Sequence, residues 1–557
     1  MTTKADTEWQ EENVSAGRLV NFRPVFISAL FLMLGILIGY YRVVEEKSVI
    51  VLIVLVLLFP AFFFFFVKRK LRFVKYLVVF YLSFFIGMTG FSLSVSRHRE
   101  VSRYDGECFV VGTVIEKNAG MYGGEIVLTD LTIDRNVEDG KMTVTLSEED
   151  FAAIKSCDRV LFRMDVSTVN TVVGTYGFRA EAIADREIYR GSNVVWYQIQ
   201  GYEFHLGAYL RDALQGALYA GMDEESAAVA TAILLGNTSG IETELLQNIR
   251  YGGIAHIFAV SGLHIGAVFA FCMLLLRRNR IPAPLRFVFV AVILVLYGGV
   301  CGYSASVVRS IVTCLILYGC TLIGVKYDSL ESLSLAAYVV FAIYPTLLFG
   351  VGAQLSFCAC LGIVLLSKPL RRGMEAVCFG VVDGIRYGLL KREKPKPVDM
   401  FCDNTSPKSL LRQATEKCIS FLSVSFAAQI GTAPILYLSF GYFSIVSIFL
   451  NCIYVPMMTF CFSPLLLLAS ISALLSSLAG VFLYVPNVLL HLAVLAFHLI
   501  SFEKGIIDSL SFGAPAVVCY YCAVLFASDK CNLSKWHKRA LTLLFIASFA
   551  ICVVAGS

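Results

Sequence analysis

The sequence predicts a polytopic α-helical membrane protein of about 12–13 spans that also carries one small extracytoplasmic β domain. The composition indicates the membrane class, because 57% of the 557 residues are hydrophobic and only 16% are charged. Soluble domains carry about 25% charged residues. A single polar segment of about 100 residues, which alternates like β-strands, indicates the β domain. The net charge of +5 is small for this length and does not by itself indicate a nucleic-acid partner.

Apolar runs long enough to cross about 30 Å of hydrocarbon as helices recur along the chain. They lie at 25–42, 48–67, 75–96, 254–276, 285–303, 306–325, 346–367, 418–440, 443–472, 476–500, 511–528 and 539–556. A shorter run lies at 330–345. The first run is not a cleavable signal peptide, because the residues before it are polar and no small-residue cleavage site follows it.

The positions of Lys and Arg in the short loops predict the orientation, since such residues accumulate on the cytoplasmic side. Four loops are basic: 68–75, 277–286, 368–417 and 530–539. All four lie on the same side if 330–345 is counted as a span. The protein is therefore expected in the cell membrane with a cytoplasmic N-terminus, and residues 97–253 and the C-terminus are expected to be extracytoplasmic.

These runs divide the chain into five predicted regions. They are a cytoplasmic tail at 1–24, three transmembrane helices at 25–96, the β domain at 97–200, amphipathic or interfacial helices at 201–253, and a main transmembrane domain at 254–557 that contains the basic cytoplasmic loop 368–417.

The β domain is predicted from five short candidate strands. They lie at 108–117, 125–134, 141–147, 159–168 and 178–190. Five short strands in about 100 residues are typical of a small closed barrel of the oligonucleotide/oligosaccharide-binding (OB) type, although a small sandwich would give a similar pattern. Acidic residues outnumber basic ones here, which does not favour a nucleic-acid-binding surface.

The β domain contains two of the 17 cysteines, Cys108 and Cys157. In an oxidising compartment this pair is expected to form a disulfide, and the alternative is two buried free thiols. The other cysteines do not form Cys-x-x-Cys pairs with histidine partners, so no metal site and no cofactor are predicted.

Polar side chains inside the apolar runs are costly and usually face a protein interior or a water-filled path. The candidates for such a path are His256, Ser261, His264, Arg309, Asp328, Gln354, Ser356, Gln429 and Asn451. Gly262, Gly266, Gly431, Pro434 and Pro456 are candidate breaks or hinges in the helices. A buried arginine needs a partner, and Asp328 is a candidate partner of Arg309 if the fold brings the two together.

Each of these residues also has a purely structural interpretation. A serine in a span usually bonds to its own helix, and amides often join helices without further function. Ser261 and His264 have the spacing of a nucleophile and its base on one helix face, but the sequence offers no acid nearby to orient the histidine. No catalytic residue is therefore assigned, and the protein is not expected to be an enzyme.

Three stretches carry a resemblance to a known family. They are LLGNTSGIETELLQNIRYGGIAHIFAVSGLHIG (234–266), GAQLSFCACLGI (352–363) and AAQIGTAPILYLSFGYFSIVSIFLN (427–451). They resemble the ComEC-type DNA-uptake channels of naturally competent bacteria over roughly residues 200–500. The resemblance implies an inner-membrane channel that moves single-stranded DNA into the cytoplasm during natural transformation. It also implies an OB-like fold for the external domain.

The sequence departs from the family in one respect. Many members continue into a metallo-β-lactamase-like domain, but no H-x-H-x-D-H stretch occurs here, so a short form without that domain is expected. No Walker A motif occurs either, so energy must come from elsewhere. The expected partners are single-stranded DNA, membrane lipid, a cytoplasmic helicase-like ATPase, an external DNA receptor and, if one strand is degraded, a separate nuclease. The alternatives are a small-solute secondary transporter and an intramembrane hydrolase using Ser261 and His264.

Overall fold

A computed structural model describes most of the chain. The described residues are 23–45, 71–99, 102–120, 123–169, 180–276, 281–389, 410–444, 446–499, 506–507, 513–528 and 534–556. Residues 1–22 of the predicted cytoplasmic tail, the apolar run 48–67 and the central part of the basic loop lie outside the described residues.

The described chain separates into two compact units. The first unit comprises Arg23–Ser356 and Val455–Lys504, and the second comprises Phe357–Tyr454 and Gly505–Ser557. The first unit contains the β domain and the segment that opens the resemblance.

The helices, numbered in chain order within the described residues, follow most of the predicted apolar runs. They are α1 Pro24–Val43, α2 Leu71–Arg99, α3 Glu148–Ala153, α4 Ala180–Asp185, α5 Leu206–Gly221, α6 Glu224–Leu235, α7 Thr243–Tyr251, α8 Gly262–Leu276, α9 Ala283–Val300, α10 Ala305–Ile323, α11 Ser329–Ile343, α12 Val351–Leu389, α13 Leu410–Phe440, α14 Ser447–Leu474, α15 Ala479–Phe482, α16 Tyr484–Leu499, α17 Ala514–Ala527 and α18 Lys535–Gly556. Short 3-10 helices lie at Ala255–Ile257, Pro345–Phe349 and Ser476–Leu478.

Seven helices in the described part of the chain are long and apolar enough to cross a membrane. They include all or part of α1, α2, α9, α10, α12, α13 and α14. A segment bent by 56°, from Ser476 to Leu495, makes an eighth if it is counted as one span. Three shorter apolar helices are also present, including α8 and α11. The fold is therefore a multi-pass helical membrane protein, as predicted. Fewer full-length spans are seen than expected, partly because the run 254–276 is interrupted before α8.

Small residues allow α1 and α2 to pack closely. A Cβ atom at Gly35 would collide with the backbone of Phe84, and one at Gly87 would collide with the backbone of Leu32. Gly39 faces α2 as well, so GILIG (35–39) acts as a small-x-x-x-small contact surface. These contacts hold the two helices side by side, and α11 packs against them.

The β domain is one six-stranded sheet. Its strands are β1 Asp105–Gly120, β2 Gly123–Ile133, β3 Asn136–Glu138, β4 Lys141–Leu146, β5 Asp158–Thr168 and β6 Glu187–Tyr202. The order is β1-β5-β6-β4-β2-β3, and β1 also pairs with β2. β4 and β6 are parallel, whereas β1 runs antiparallel to both β2 and β5. Alternate apolar side chains of the strands form one buried core.

Four of the five predicted strands coincide with observed strands, and the prediction at 178–190 is wrong in its boundaries. Residues Ala180–Asp185 form helix α4, and the strand begins only at Glu187. Arg186 separates the two elements with a φ of 57°, which no regular strand or helix allows. The strand then continues to Tyr202, beyond the predicted end, because Val195 and Tyr197 extend the β-favouring composition.

The predicted Cys108–Cys157 disulfide is wrong, because both thiols are free and buried. Cys108 pairs with Met164 in the sheet, whereas the Cys157 N–H donates to the Val114 carbonyl, 2.8 Å away. Val114 lies six residues beyond Cys108 on β1, a separation of about 20 Å. A disulfide requires Cα atoms within about 7 Å. Burial, followed by the effect of Asp134, raises the pKa of Cys108 to about 11.

The region 201–253, predicted to form amphipathic or interfacial helices, contains three helices, and α6 is buried within the protein. Every residue from Ser226 to Leu235 is buried. Asp223 caps its N-terminus by accepting from the Ser226 N–H, and Gly236 ends it with a φ of 78°. An alanine-rich helix buried on all sides is a packing core for its neighbours α5 and α16.

Candidate functional site

The run IAHIFAVSGLHIG (254–266) does not form one continuous helix. Ala255–Ile257 is a single 3-10 turn, residues 258–261 are not helical, and α8 begins at Gly262. Gly253, with a φ of 68°, precedes the turn. A helix N-terminus therefore lies within an apolar stretch that was predicted to span the membrane.

Ser261 and His264 cap that N-terminus together. The Ser261 Oγ accepts a hydrogen bond from the Leu263 N–H at 3.3 Å. The His264 Nδ1 accepts from the Ser261 N–H at 2.9 Å. This is the geometry of a capping box in which histidine replaces the usual Glu or Gln.

The capping box determines the tautomer of His264. Because Nδ1 is an acceptor, the ring proton of the neutral imidazole is on Nε2. His264 is 1% exposed, and its Nε2 has no hydrogen-bond partner in the described part of the chain. Its ring packs against Phe462, with the two ring centroids 4.8 Å apart. A buried N–H donor is thus present beside the start of α8.

Arg309, on the second turn of α10, lies against the same helix terminus. It is 7% exposed. Its Nε donates to the Ser356 Oγ at 2.9 Å, and its Nη2 donates to the Ser310 Oγ at 3.1 Å. A Cβ at Gly262 would lie only 2.7 Å from Nη2, so glycine is needed there for the guanidinium to approach. We call Ser261, Gly262, His264, Arg309, Ser310 and Ser356 the Arg309 cluster.

The electrostatics of the Arg309 cluster favour an anion. A helix N-terminus carries a partial positive charge, and a guanidinium beside it adds a full one. The two serine hydroxyls that Arg309 contacts in the cluster are neutral. His264 contributes a third donor on the same terminus. Donor groups and positive potential in an apolar setting are the requirements of a site that contacts phosphate or carboxylate oxygens.

The expected pairing of Arg309 with Asp328 is wrong. Asp328 binds Arg23, with Oδ2 at 2.9 Å from Nη2, and it caps α11 by accepting from the Leu330 N–H. From Arg309 to the end of α10 at Ile323 the helix rises by about 20 Å, so Asp328 lies at its far end. Burial opposes ionisation of Asp328, but the Leu330 N–H and the Arg23 charge hold its pKa below the usual value.

Three further candidates in the first unit lie outside the cluster's hydrogen bonds. Gln354 donates to the Leu348 carbonyl at 3.0 Å and so ties the start of α12 to the preceding 3-10 turn. His256 sits in the 3-10 turn with an exposed side chain. Gly266 has open space where a Cβ would lie, so its lack of a side chain is not required by packing.

Gln429 and Asn451 belong to a separate polar group in the second unit. The Gln429 Nε2 donates to the Ser447 Oγ at 2.7 Å, and that hydroxyl donates to the Ser444 carbonyl at 2.7 Å. Asn451 lies one turn further along α14. Gln429 therefore joins α13 to the start of α14, which is the structural role expected of an amide between helices.

Gly431 and Pro434 lie inside α13, where a proline is expected to kink a helix. Gly431 contacts Gly362 of α12, with 2.9 Å between the Cα of Gly431 and a Cβ placed at residue 362. Pro434 cannot donate to the Ile430 carbonyl four residues earlier. The Tyr520 hydroxyl donates to that carbonyl instead, at 2.7 Å, and Tyr521 donates to the Gly431 carbonyl at 2.8 Å. Pro456, the other predicted hinge, lies inside the helix α14.

Several important residues were missed by sequence reasoning. Ser310 follows Arg309 directly, and a hydroxyl beside a buried cation is a usable signal. Gly362 and Tyr520 gave no such signal, because their roles depend on segments about 70–90 positions away in the chain.

One group of potential metal ligands is present in the described residues. The ligating atoms of Glu225, Glu242 and His498 lie within 4.8 Å of one another. Two of the three side chains are exposed, and His498 and Glu225 already form an ion pair at 2.6 Å. The ion pair accounts for the arrangement, so no metal site is assigned.

Comparison with known proteins gives a match to one family. A family model described as Competence protein matches residues 233–528, which includes every member of the Arg309 cluster. The chain is 25% identical to ComE operon protein 3 of Bacillus subtilis (strain 168) over 240 residues, which is 43% of this chain. The match covers only 26% of that relative's length. No solved structure matches the chain.

Proposed function

The chain belongs to the Competence protein family, and from that premise we propose that it is a channel for DNA uptake. In this proposal it passes one DNA strand across the cytoplasmic membrane during natural transformation. The part of the chain that carries the family match is the helical region with the broken span, and the proposed path lies there.

The observation that carries the proposal is the Arg309 cluster. A DNA strand has one negative charge per nucleotide, and it needs donors and positive potential wherever it passes through apolar surroundings. Arg309, the Nε2–H of His264 and the terminus of α8 provide them in one place. The hydroxyls of Ser356 and Ser310 orient the guanidinium beside the terminus of α8.

We further propose that the β domain is an OB-type barrel. The strand pairings β1-β2-β4-β6-β5 return to β1, which is the closure that a barrel requires. The parallel β4–β6 pair and the helix α3 between β4 and β5 support the same topology. The domain is acidic overall, so we propose that it supports the channel and that another protein presents the DNA.

The geometry supports a channel over an intramembrane hydrolase. To activate Ser261, the Nδ1 of His264 would have to accept the serine proton. That nitrogen already accepts from the Ser261 N–H at 2.9 Å, and the hydroxyl lies further away, at 3.3 Å. In the described part of the chain no carboxylate orients the other nitrogen. We therefore propose that the protein is not an enzyme.

The remaining alternative is a small-solute transporter, which would use similar broken helices. The transporter would move a small solute and the channel would move a DNA strand, so an assay of DNA uptake distinguishes the two. The DNA proposal also needs partners: an external receptor, a cytoplasmic helicase-like ATPase that supplies energy and, if one strand is degraded, a nuclease.

The test is DNA uptake in cells that lack this protein and are complemented with variants. End-labelled DNA is added, and surface-bound label is compared with nuclease-protected label. Arg309→Gln should lower protected label about tenfold or more, because it removes a buried charge, and it should leave bound label unchanged. Arg309→Lys should retain part of the uptake. Arg42→Gln, an exposed arginine at the end of α1, is the matched control.

The proposal is contradicted if Arg309→Gln cells take up protected DNA at the wild-type rate with equal amounts of protein in the membrane. A loss of uptake with a matching loss of protein would report folding only. In that case the Arg309→Lys variant tests whether the charge is needed, because it keeps the charge and most of the side-chain volume.

A further inference from the structure

A cleft of about 390 Å³ lies between the β domain and the helices of the first unit. Its apolar wall is formed by the aliphatic side chains Leu206, Leu210 and Leu296. Its polar rim includes Lys141, Arg211 and Tyr303. The volume is within the usual range for sites that hold a small molecule, which is about 300–1,000 Å³.

The cleft lies beside the C-terminal end of α9, a helix long enough to span a membrane. Arg211 donates from its Nε to the carbonyl of Val300, the last residue of α9, at 2.8 Å. A Cβ at Gly207 would lie 3.2 Å from the Gly299 carbonyl oxygen. Because α9 is long and apolar enough to span a membrane, the cleft opens where that span ends.

Exposed aromatic side chains lie in the segment that leads from β6 into α5, beside the cleft. Phe204 is 59% exposed and Tyr209 is 51% exposed, and their ring centroids lie 5.7 Å apart. Tyr202, at the end of β6, is 59% exposed. Aromatic rings that stay exposed beside the end of a span are typical of the membrane–water interface. The cleft therefore lies at the depth of lipid headgroups.

Most charged groups on the rim of the cleft are paired, and Lys141 is the exception. Arg211 pairs with Glu116, with 2.7 Å between Nη1 and Oε1. Lys141 forms no ion pair in the described part of the chain. The Nε2 of His205 on the rim lies 3.7 Å from the Oδ2 of Asp130. Lys141 is therefore the rim cation that a ligand phosphate can pair with.

We propose that this cleft binds one anionic phospholipid from the leaflet that faces the β domain. The phosphate would lie near Lys141, and the first methylene groups of an acyl chain would pack on Leu206, Leu210 and Leu296. Such a lipid would fill the junction between the β domain and α9. This proposal does not depend on the protein being a DNA channel.

A nucleotide is the competing occupant, and the lining argues against it. Nucleic-acid sites without sequence preference stack bases on aromatic rings. Tyr303 is the aromatic residue on the rim, and its hydroxyl is held by the Val295 carbonyl at 2.9 Å. The other apolar contacts are aliphatic, which suits a lipid chain.

The experiment is native mass spectrometry of the detergent-purified protein titrated with short-chain phosphatidylglycerol. Phosphatidylcholine of the same chain length, glycerol 3-phosphate and oligothymidylate are the comparison probes. We expect one phosphatidylglycerol per chain, preferred over phosphatidylcholine. Leu296→Trp, which fills the cleft, should weaken binding about tenfold. Lys141→Gln should lower the preference for phosphatidylglycerol about fivefold.

Matched controls separate the cleft from general lipid contact. Leu285→Trp places the same ring on an exposed position at the other end of α9, and Lys155→Gln removes an exposed charge elsewhere on the β domain. Both should bind as the wild type does. Thermal unfolding of each variant without lipid reports whether the fold is intact.

Three results would overturn the proposal. Equal phosphatidylglycerol binding by Leu296→Trp and Leu285→Trp would place the lipid elsewhere. Binding of glycerol 3-phosphate as tight as that of the lipid would make the phosphate alone the ligand. Oligothymidylate binding that Leu296→Trp abolishes would assign the cleft to nucleic acid. The lipid titration contains no DNA, so its failure and a failure of the proposed function are distinguishable.

Discussion

His264 is the residue whose structural role is best defined. It accepts from the Ser261 N–H and so completes a capping box in an apolar setting. Glu, the usual residue at this position, would bring a charge that costs free energy to bury, whereas a neutral imidazole accepts the same hydrogen bond without one. The imidazole also keeps an N–H donor on its other side, which a carboxylate lacks.

Substitutions at Ser261 and His264 should therefore act through the cap. Ser261→Ala should destabilise the protein by about 1 kcal/mol, because one capping hydrogen bond is lost, and DNA uptake should fall only as far as folded protein does. His264→Gln should keep the acceptor and most of the stability, whereas His264→Ala should lose both. Thermal unfolding in detergent and the uptake assay measure these effects.

The control is Ser470→Ala, a serine that bonds only to the Leu466 carbonyl of its own helix. It should change neither measurement. If Ser261→Ala abolishes function while its unfolding temperature matches that of Ser470→Ala, Ser261 has a chemical role and the hydrolase interpretation gains support.

Among the elements, α13 contains Pro434, and two tyrosines of α17 donate hydrogen bonds to the carbonyls just before it. The Ile430 carbonyl would have no partner within α13, because residue 434 has no N–H. Tyr520 of α17 supplies the hydrogen bond. The close contact of Gly431 with Gly362 holds α12 at the same point. The helices α12, α13 and α17 therefore meet at this point.

This interpretation predicts energetic coupling between Pro434 and Tyr520. Tyr520→Phe alone should lower the free energy of unfolding by about 1 kcal/mol, because it leaves the Ile430 carbonyl unpaired. In a Pro434→Ala background the loss should be smaller, since the backbone N–H that the substitution restores can bond to that carbonyl. Chemical denaturation in mixed micelles of the four proteins of this double-mutant cycle gives the coupling.

Tyr297→Phe is the comparison, because its hydroxyl bonds to the Leu234 carbonyl, far from the kink in sequence. Its effect should be the same with or without Pro434. Additive losses for Tyr520→Phe in both backgrounds would show that the tyrosine does not repair the proline kink.

At the scale of the whole molecule, sidedness follows from the basic loops and remains a prediction. Val137, on the short strand β3, is 85% exposed and belongs to the β domain. Gly373 lies on α12 within the basic region, where an added side chain meets no atom within 4 Å. The positive-inside rule places these two positions on opposite sides of the membrane.

Cysteine labelling tests this arrangement. A membrane-impermeant maleimide should label Val137→Cys in intact cells, and it should label Gly373→Cys only after the membrane is opened. The protein without either new cysteine measures the background from native thiols. Labelling of both positions from the same side would refute the predicted orientation.

Local patterns of residues were sufficient to predict the class of the protein, most of its elements and its family. The apolar runs, the alternation in residues 108–168 and the motif around His264 are local patterns, and local patterns are set by solvent and backbone geometry. The sequence also singled out Arg309, because a cation inside an apolar run is costly wherever the chain takes it.

The contacts between distant residues could not be predicted in this way. A disulfide between Cys108 and Cys157 was predicted because they are the two cysteines of the β domain. The register of β1 and β5 places them far apart. Asp328 was a candidate partner of Arg309, but α10 separates the two residues. Asp328 pairs with Arg23 instead, and Arg309 donates to Ser356. Partners of this kind depend on how distant segments pack, and packing is a property of the whole fold that no short stretch of sequence contains.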